Sequence, residues 1–301
     1  MAKEIHSCFL SSLEGNEEQF GTSPRADSWL LIEYSGHWTN NAFSDSKIPK
    51  KVKSKIKSIQ NKLPNCRVQV IKKDNQPLKT IHIYIALSQK KKPTLYEIKL
   101  SDYSELLDLK LKTVLADERN LHKDPVFIVC TNGEHDQCCG KFGMPAYLDA
   151  AQGAHGKNIW QTNHLGGHRF ASTLLCLPQG ICYGRVREGD KINQIIDGHK
   201  EGLINLDSYR GRSCYSQEIQ VAEYFLRKNS GVLDIGRFRP KKSIKSKGSN
   251  VKVRFRALAD EKIHQVQIKK IANAAKIYKS CGDGKRSYVP MWRLVDYKVV
   301  D

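Results

Sequence analysis

The residues able to do chemistry in this 301-residue chain are crowded into one stretch. CTNGEHDQCCG, residues 130–140, carries the thiols Cys130, Cys138 and Cys139, and 24 residues after Gly140 begins HLGGH, with His164 and His168. Thiolates and imidazoles are soft and borderline ligands that suit zinc, copper and iron–sulfur clusters. Three thiols and two imidazoles within 39 positions therefore point to metal or cluster chemistry.

The spacing excludes several familiar sites. Two histidines four apart match the helical zinc motif of metalloproteases, in which an intervening glutamate is the base. Here Gly166 and Gly167 lie between them, each costing a helix about 1 kcal/mol, and the glutamate is missing. Glycines instead suit a tight loop whose backbone N–H groups approach and hydrogen-bond the sulfides or thiolates of a cluster. Structural zinc sites usually pair cysteines as C-x2-4-C, whereas eight residues separate Cys130 from Cys139. A Rieske centre interleaves Cys and His within each loop, and here the two are segregated. The vicinal Cys138–Cys139 pair read as a thiol-disulfide couple lacks the usual C-x-x-C spacing.

Residues 125–130 (PVFIVC) read as a buried strand closing on Cys130, and residues 159–162 as an extended segment just before His164. Both clusters are thus expected on loops at neighbouring strand ends, sharing one site. Around them the pattern predicts a short helix over 145–152, strands near 173–177 and 181–186, and a helix over 191–200. Upstream come a strand at 29–34 and a helix at 49–60, in which Val52, Ile56 and Ile59 recur at helical spacing and leave the lysines on the other face. Strands at 67–72, 80–87 and 95–100 and a helix at 103–115 follow. The order strand, helix, strand, strand therefore occurs twice, predicting two α/β units in tandem. The remainder reads as a turn at 209–212, a helix at 217–227, a Lys/Ser/Gly loop at 241–250, and strands at 251–258, 264–268 and 288–300. Cys66, Cys176, Cys182 and Cys281 are expected to be buried strand cysteines. His135 and His155 are expected at the surface.

With 40% hydrophobic and 27% charged residues, and no apolar run approaching the roughly 20 residues of a membrane span, the chain reads as a soluble globular protein. The N-terminus, with Glu4 and Glu14, reads as neither signal nor transit peptide. Nine cysteines, an odd number, then suggest reduced thiols and a cytoplasmic setting. The formal net charge is +19, and two acid-free segments supply most of it: seven lysines over 47–62 and nine Lys/Arg over 237–256. Such a field attracts acidic proteins, nucleic acid or anionic lipid. A basic binding module built on structural zinc is the rival reading, but no helix-turn-helix, zinc-finger or RNP pattern accompanies the charge.

At its Cys/His loops the chain resembles the sucrase/ferredoxin-like family, a branch of the thioredoxin-like ferredoxins. The family pattern of a Cys-x8-Cys-Gly loop, a W-x-T/S-x-H-x-G-G-H-R-F-A segment and L-P-x-G-x-x-Y-G-R-V is met by Cys130 with Cys139–Gly140, by WQTNHLGGHRFA at 160–171 and by LPQGICYGRV at 177–186. Cys8, Gly21–Thr22, WLLIE at 29–33, YRGR at 209–212 and Ala222–Glu223 extend the resemblance over about residues 8–228.

The resemblance implies a thioredoxin-like fold, so the tandem units are expected as thioredoxin-like units at 1–120 and 121–228, the second carrying a [2Fe-2S] site; by its strand pattern and charge the rest, 229–301, reads as a basic, β-rich extension. It implies cluster ligation by Cys130 and Cys139 on one iron and His164 and His168 on the other, with Gly140, Gly166 and Gly167 shaping the loops. Cys139 is preferred to Cys138 on family register and on the Gly140 that relaxes the turn. Two thiolates and two neutral imidazoles leave a diferric cluster uncharged, so its potential should lie well above the roughly −400 mV of plant-type ferredoxins. With all four positions protein-held, the expected task is one-electron transfer, coupled to a proton through the imidazoles, to or from an acidic redox partner. No paired carboxylates suggest glycosidase activity.

Overall fold

The computed structural model describes residues 6–88, 91–152, 156, 158–186, 190–245 and 249–300. After α1 (Cys8–Glu14), the apolar β1 (Ser28–Glu33) is buried along its whole length. A short α2 (Ala42–Asp45) and α3 (Lys50–Lys62) carry the chain over to β2 (Cys66–Lys72), which lies parallel to β1. Helix α3 buries Val52, Ile56 and Ile59, so its lysines are displaced to the opposite face as the spacing predicts. β3 (Ile81–Leu87) returns antiparallel beside β1 and pairs with β4 (Thr94–Leu100).

Beyond α4 (Leu111–Ala116) the arrangement repeats. β5 (Val126–Cys130) leads through α5 (Gln137–Gln152) to a parallel β6 (Ile159–Thr162), while β7 (Leu174–Leu177) runs antiparallel to β5 and pairs with β8 (Ile181–Tyr183). The two units thus share one strand order and one set of directions, the strand-helix-strand-strand plan that the sequence pattern predicts twice. They meet where β2 and β6 pair antiparallel, Ile71 with Thr162 and Lys72 with Gln161. With α6 (Asp190–Lys200) and β9 (Tyr209–Arg212) added, the result is one nine-stranded sheet, β4-β3-β1-β2-β6-β5-β7-β8-β9.

Alternation along the strands sorts side chains between faces. Leu30 and Ile32 join the core over α3, and Phe127 and Val129 join the core under α5 and α6. Trp29, Leu31, Val126, Ile128 and Cys130 enter a third core that spans both units on the other face.

Helix α7 (Gln217–Ser230) seats the C-terminal sheet of β10 (Phe238–Lys245), β11 (Asn250–Ala257), β12 (Ile263–Ile277) and β13 (Ser287–Val300). Along β11 the residues Val251, Val253, Phe255 and Ala257 are buried, while Arg254 and Arg256 are exposed, so the basic segment there is the outer face of a sheet. Glu223 of α7 pins the helix to β9: Arg212 and Arg227 lie 3.0 and 2.8 Å from its carboxylate, and the Tyr209 hydroxyl donates to it at 2.6 Å. Burial would raise this carboxyl, but the two guanidiniums hold it down at about 2.

Several sequence expectations differ from the fold. Residues 209–212 form a strand, Ile181 pairing with Arg212 and Cys182 with Gly211, because bound partners let Arg210 and Arg212 be buried there. The helix expected at 103–115 is broken. The Asp102 capping box closes a short 3-10 turn over Tyr103–Leu107, and α-helix resumes only at Leu111. Pairing with β11 makes the first part of the expected loop at 241–250 a strand up to Lys245, and residues 246–248 lie outside those described.

Candidate metal centre

Strand β5 delivers Cys130, 1% exposed, to the edge of the shared core. The chain turns at once into α5, which begins at Gln137 rather than at Pro145. Pro145 suits a first helical position, but Asp136 already starts the helix by accepting the Cys138 N–H at 3.0 Å. Cys138, Cys139 and Gly140 therefore stand in the first turn of a helix and not on a loop. Gly143 makes the close packing possible: a Cβ there would lie 1.9 Å from the Cys130 carbonyl oxygen. Gly140 likewise abuts Gly133, whose Cα would lie 2.9 Å from an added Cβ, so its service is to let the helix approach the preceding loop.

The second cluster follows β6. Asn163 ties the loop to β2 by accepting the Val70 N–H at 3.1 Å. Gly166 and Gly167 then adopt φ of +95° and +79°, values that favour glycine, and fold His168 back toward His164. The imidazole centroids lie 5.1 Å apart. Arg210 of β9 fixes this loop, donating to the Gly166 carbonyl at 2.9 Å and to the Thr22 carbonyl at 2.6 Å. A side chain at Gly167 would collide with the same guanidinium, 2.3 Å away.

Among the described residues, Cys130, Cys139 and His164 have donor atoms within 4.8 Å of one another, and so do His135, His164 and His168. Cys139 Sγ is 3.8 Å from His164 Nδ1. The hydrogen bond from Cys139 pulls the Cys130 thiol well below the usual range against complete burial, with His164 adding to the pull, and Cys139 is pushed up in turn. The pair thus holds one thiolate readily. His135, expected at the surface, is half-buried and stacks on His164 at 3.8 Å; His155 lies outside the described residues.

His168 is oriented by the far end of the chain. Its Nε2 donates to the Lys279 carbonyl at 2.6 Å, leaving Nδ1 buried with no partner. Since a carbonyl can only accept, the proton sits on Nε2 and the free lone pair on Nδ1. Cys138 points elsewhere, its Sγ 3.2 Å from that of Cys281. Cys281 is buried as expected but sits in the β12–β13 loop rather than a strand. The Cys8 thiol, hydrogen-bonded to Cys138, holds Cys138 down at about 6 against burial.

The family model described as sucrase/ferredoxin-like matches residues 19–211. The chain belongs to the sucrase/ferredoxin-like family. The matched span of this sucrase/ferredoxin-like protein reaches from before β1 into β9 and takes in both Cys/His clusters, but not Cys8, Ala222–Glu223 or Cys281. No curated protein and no solved structure matches the chain. Among the described residues, no helix is long and apolar enough to cross a membrane.

The donor set fits a ferredoxin-type group. Two buried thiols, one of them pulled toward its thiolate by the other, one imidazole beside them and a second with a buried, orphaned nitrogen are donors of the kinds that metal ligation uses. Asp136, Gly143, Arg210 and Lys279 support this sucrase/ferredoxin-like site and went unassigned from sequence. The local signals were Gly143 itself, close after Gly140, and the paired arginines of YRGR.

Proposed function

We propose that this protein is a one-electron carrier holding a [2Fe-2S] cluster, with Cys130 and Cys139 on one iron and His164 and His168 on the other. The observation that carries the reading is the buried Nδ1 of His168, left without a partner while Nε2 is committed to Lys279, beside the Cys130–Cys139–His164 group. Such a cluster supplies reversible one-electron chemistry, at a potential raised by imidazole ligation. The His168 side chain keeps its remaining proton on Nε2, hydrogen-bonded to the Lys279 carbonyl, and this supports proton-coupled transfer. Gly166 and Gly167 shape the histidine loop, and Gly140 and Gly143 let the cysteine helix approach the strand end. All nine cysteines are free, which suits a reducing cytoplasm. The exposed lysines of α3 and the basic face of β11 suit an acidic redox protein as partner.

The test is a visible and EPR spectrum of freshly purified protein with iron, sulfide and zinc quantified. The expected result is a red-brown protein with two irons and two sulfides per chain, unaltered in colour by Cys138→Ser. A colourless protein with zinc bound through Cys130 and Cys139 would overturn the reading. A colourless Cys138→Ser beside a coloured Cys139→Ser would move the ligand by one residue.

A further inference from the structure

Behind the first turn of α5 lies a second group of donors that the electron-transfer reading does not use. Cys8 of α1, Asp136 and Cys138 at the start of α5, and Cys281 of the β12–β13 loop have donor atoms within 4.8 Å of one another, and all four residues are buried. Cys138 and Cys281 Sγ are 3.2 Å apart, Cys281 and Cys8 Sγ 3.6 Å, and Cys8 Sγ lies 3.6 Å from Asp136 Oδ1. Tetrahedral zinc with ordinary bond lengths separates its ligands by about 3.8 Å between sulfurs and about 3.5 Å between sulfur and oxygen. The two sulfur–sulfur edges, 3.2 and 3.6 Å, are shorter than the first length, and the sulfur–oxygen edge, 3.6 Å, is close to the second, so a small expansion of the thiol triangle would seat the ion. Three thiols crowded this closely in a protein interior are an unusual arrangement for simple packing.

We propose that Cys8, Cys138, Cys281 and Asp136 form a closed, structural zinc site, distinct from the cluster site. The donor set selects the metal: three thiolates and one carboxylate in a compact tetrahedron suit zinc, whereas calcium and magnesium require oxygen ligands. Burial of all four residues leaves no open position for substrate, so the role is structural. The aspartate is already aligned, because its oxygens accept the backbone N–H groups of Cys138 and Cys281, both at 3.0 Å, and the Ser280 hydroxyl at 2.9 Å. Cys138 also lies in the first turn of a 16-residue helix, whose N-terminal dipole offsets thiolate charge. Such a site would fasten three parts remote in sequence: the N-terminal helix, the cluster-bearing unit and the C-terminal hairpin. Lys279, whose carbonyl accepts the His168 Nε2–H, lies two residues before Cys281, so the zinc would be a second tether on a strap that this hydrogen bond already holds.

The full chain, produced with iron and zinc both supplied, should contain one zinc in addition to its iron. Cys8→Ser and Cys281→Ser should each lower zinc at least tenfold and keep the visible absorption, whereas Cys139→Ser should lose iron and keep the zinc. If the serine variants do not fold, alkylation of the native chain followed by peptide mass spectrometry decides. Cys8, Cys138 and Cys281 should resist alkylation until a zinc chelator is added and then react together. A native chain that takes up no zinc beyond its cluster metals, a Cys138–Cys281 disulfide in its place, or zinc retained by the Cys8→Ser, Cys281→Ser double variant would overturn the proposal. A chain with zinc here but no iron would refute the electron-transfer reading alone.

Discussion

The two halves of the nine-stranded sheet share a backbone plan and differ in what they place on it. Glu33 and Cys130 close the first strands of the two units and pair with Ile71 and Thr162 of the parallel neighbours, and the next residue in each, Tyr34 or Thr131, donates to the same neighbour's carbonyl. In the first half the position is occupied by a carboxylate that burial pushes up, satisfied by the His82 N–H at 2.8 Å. In the second it is a thiol pulled down by its neighbours. The link to the crossover helix occupies residues 34–49 in the first half and only 131–136 in the second, so α5 starts against the strand end and brings Cys139 to Cys130. A common frame therefore does not carry the function, which resides in the residues set at its strand ends.

The largest expected difference between the halves comes from a pair of substitutions, one in each. Cys130→Ser or Cys139→Ser should abolish the visible absorption while the far-UV circular dichroism stays native. Ile56→Ala, fully buried in the first half, should cost about 2–5 kcal/mol in denaturant melts yet leave the absorption per folded chain unchanged. Equal loss of colour in both would show that the halves do not divide the work.

Next in size is the buried ion cluster of Glu223 with Arg212 and Arg227, which ties α7 to β9 at the edge of the second half. Removing one partner of such a pair costs about 3–5 kcal/mol, so Glu223→Gln should lower stability by that order. Because the Glu223 carboxyl stands at about 2 in the folded chain, below its ordinary 4.5, its contribution is complete above pH 4.5 and is lost as pH falls toward 2. Acid titration of the native chain should show this loss, and Glu223→Gln should be flatter across the same window.

A smaller effect concerns His164 and His168, the imidazoles of the second half. The midpoint potential should be level at low pH and then fall, approaching about 59 mV per pH unit for one proton per electron. A potential that stays level from about pH 6 to 10 would remove proton coupling and leave the ligand set standing. The smallest effect belongs chiefly to the first half, where Lys50, Lys51, Lys57 and Lys62 of α3 are exposed. Electron transfer to an acidic partner should slow as salt rises past about 0.1 M, where the screening length reaches about 10 Å, and neutralising Lys50, Lys51 and Lys57 should weaken that dependence.

The sequence by itself determined the chemistry on offer and most of the strands. Donor types and their grouping are local facts, and so are the apolar stretch at residues 29–32 of β1 and the whole of β5, because a strand buried on both faces favours apolar side chains. The amphipathic face of α3 was legible for the same reason, since Val52, Ile56 and Ile59 mark it within the helix itself. The start of α5 was not legible, because Pro145 gives a stronger local signal than the Asp136 cap and the glycine contacts that extend the helix back to Gln137.

Only the tertiary structure decided how the vicinal cysteines divide. Consecutive residues on a helix are turned by about 100°, so Cys139 faces Cys130 and His164 while Cys138 faces Cys8 and Cys281. Sequence spacing treats the two thiols as near equivalents; a helix pressed between two groups of partners does not. The Lys279 carbonyl on His168 and the meeting of Cys8 with Cys281 were equally out of reach. Such contacts depend on where the C-terminal hairpin packs, and no local periodicity encodes a contact between opposite ends of the chain.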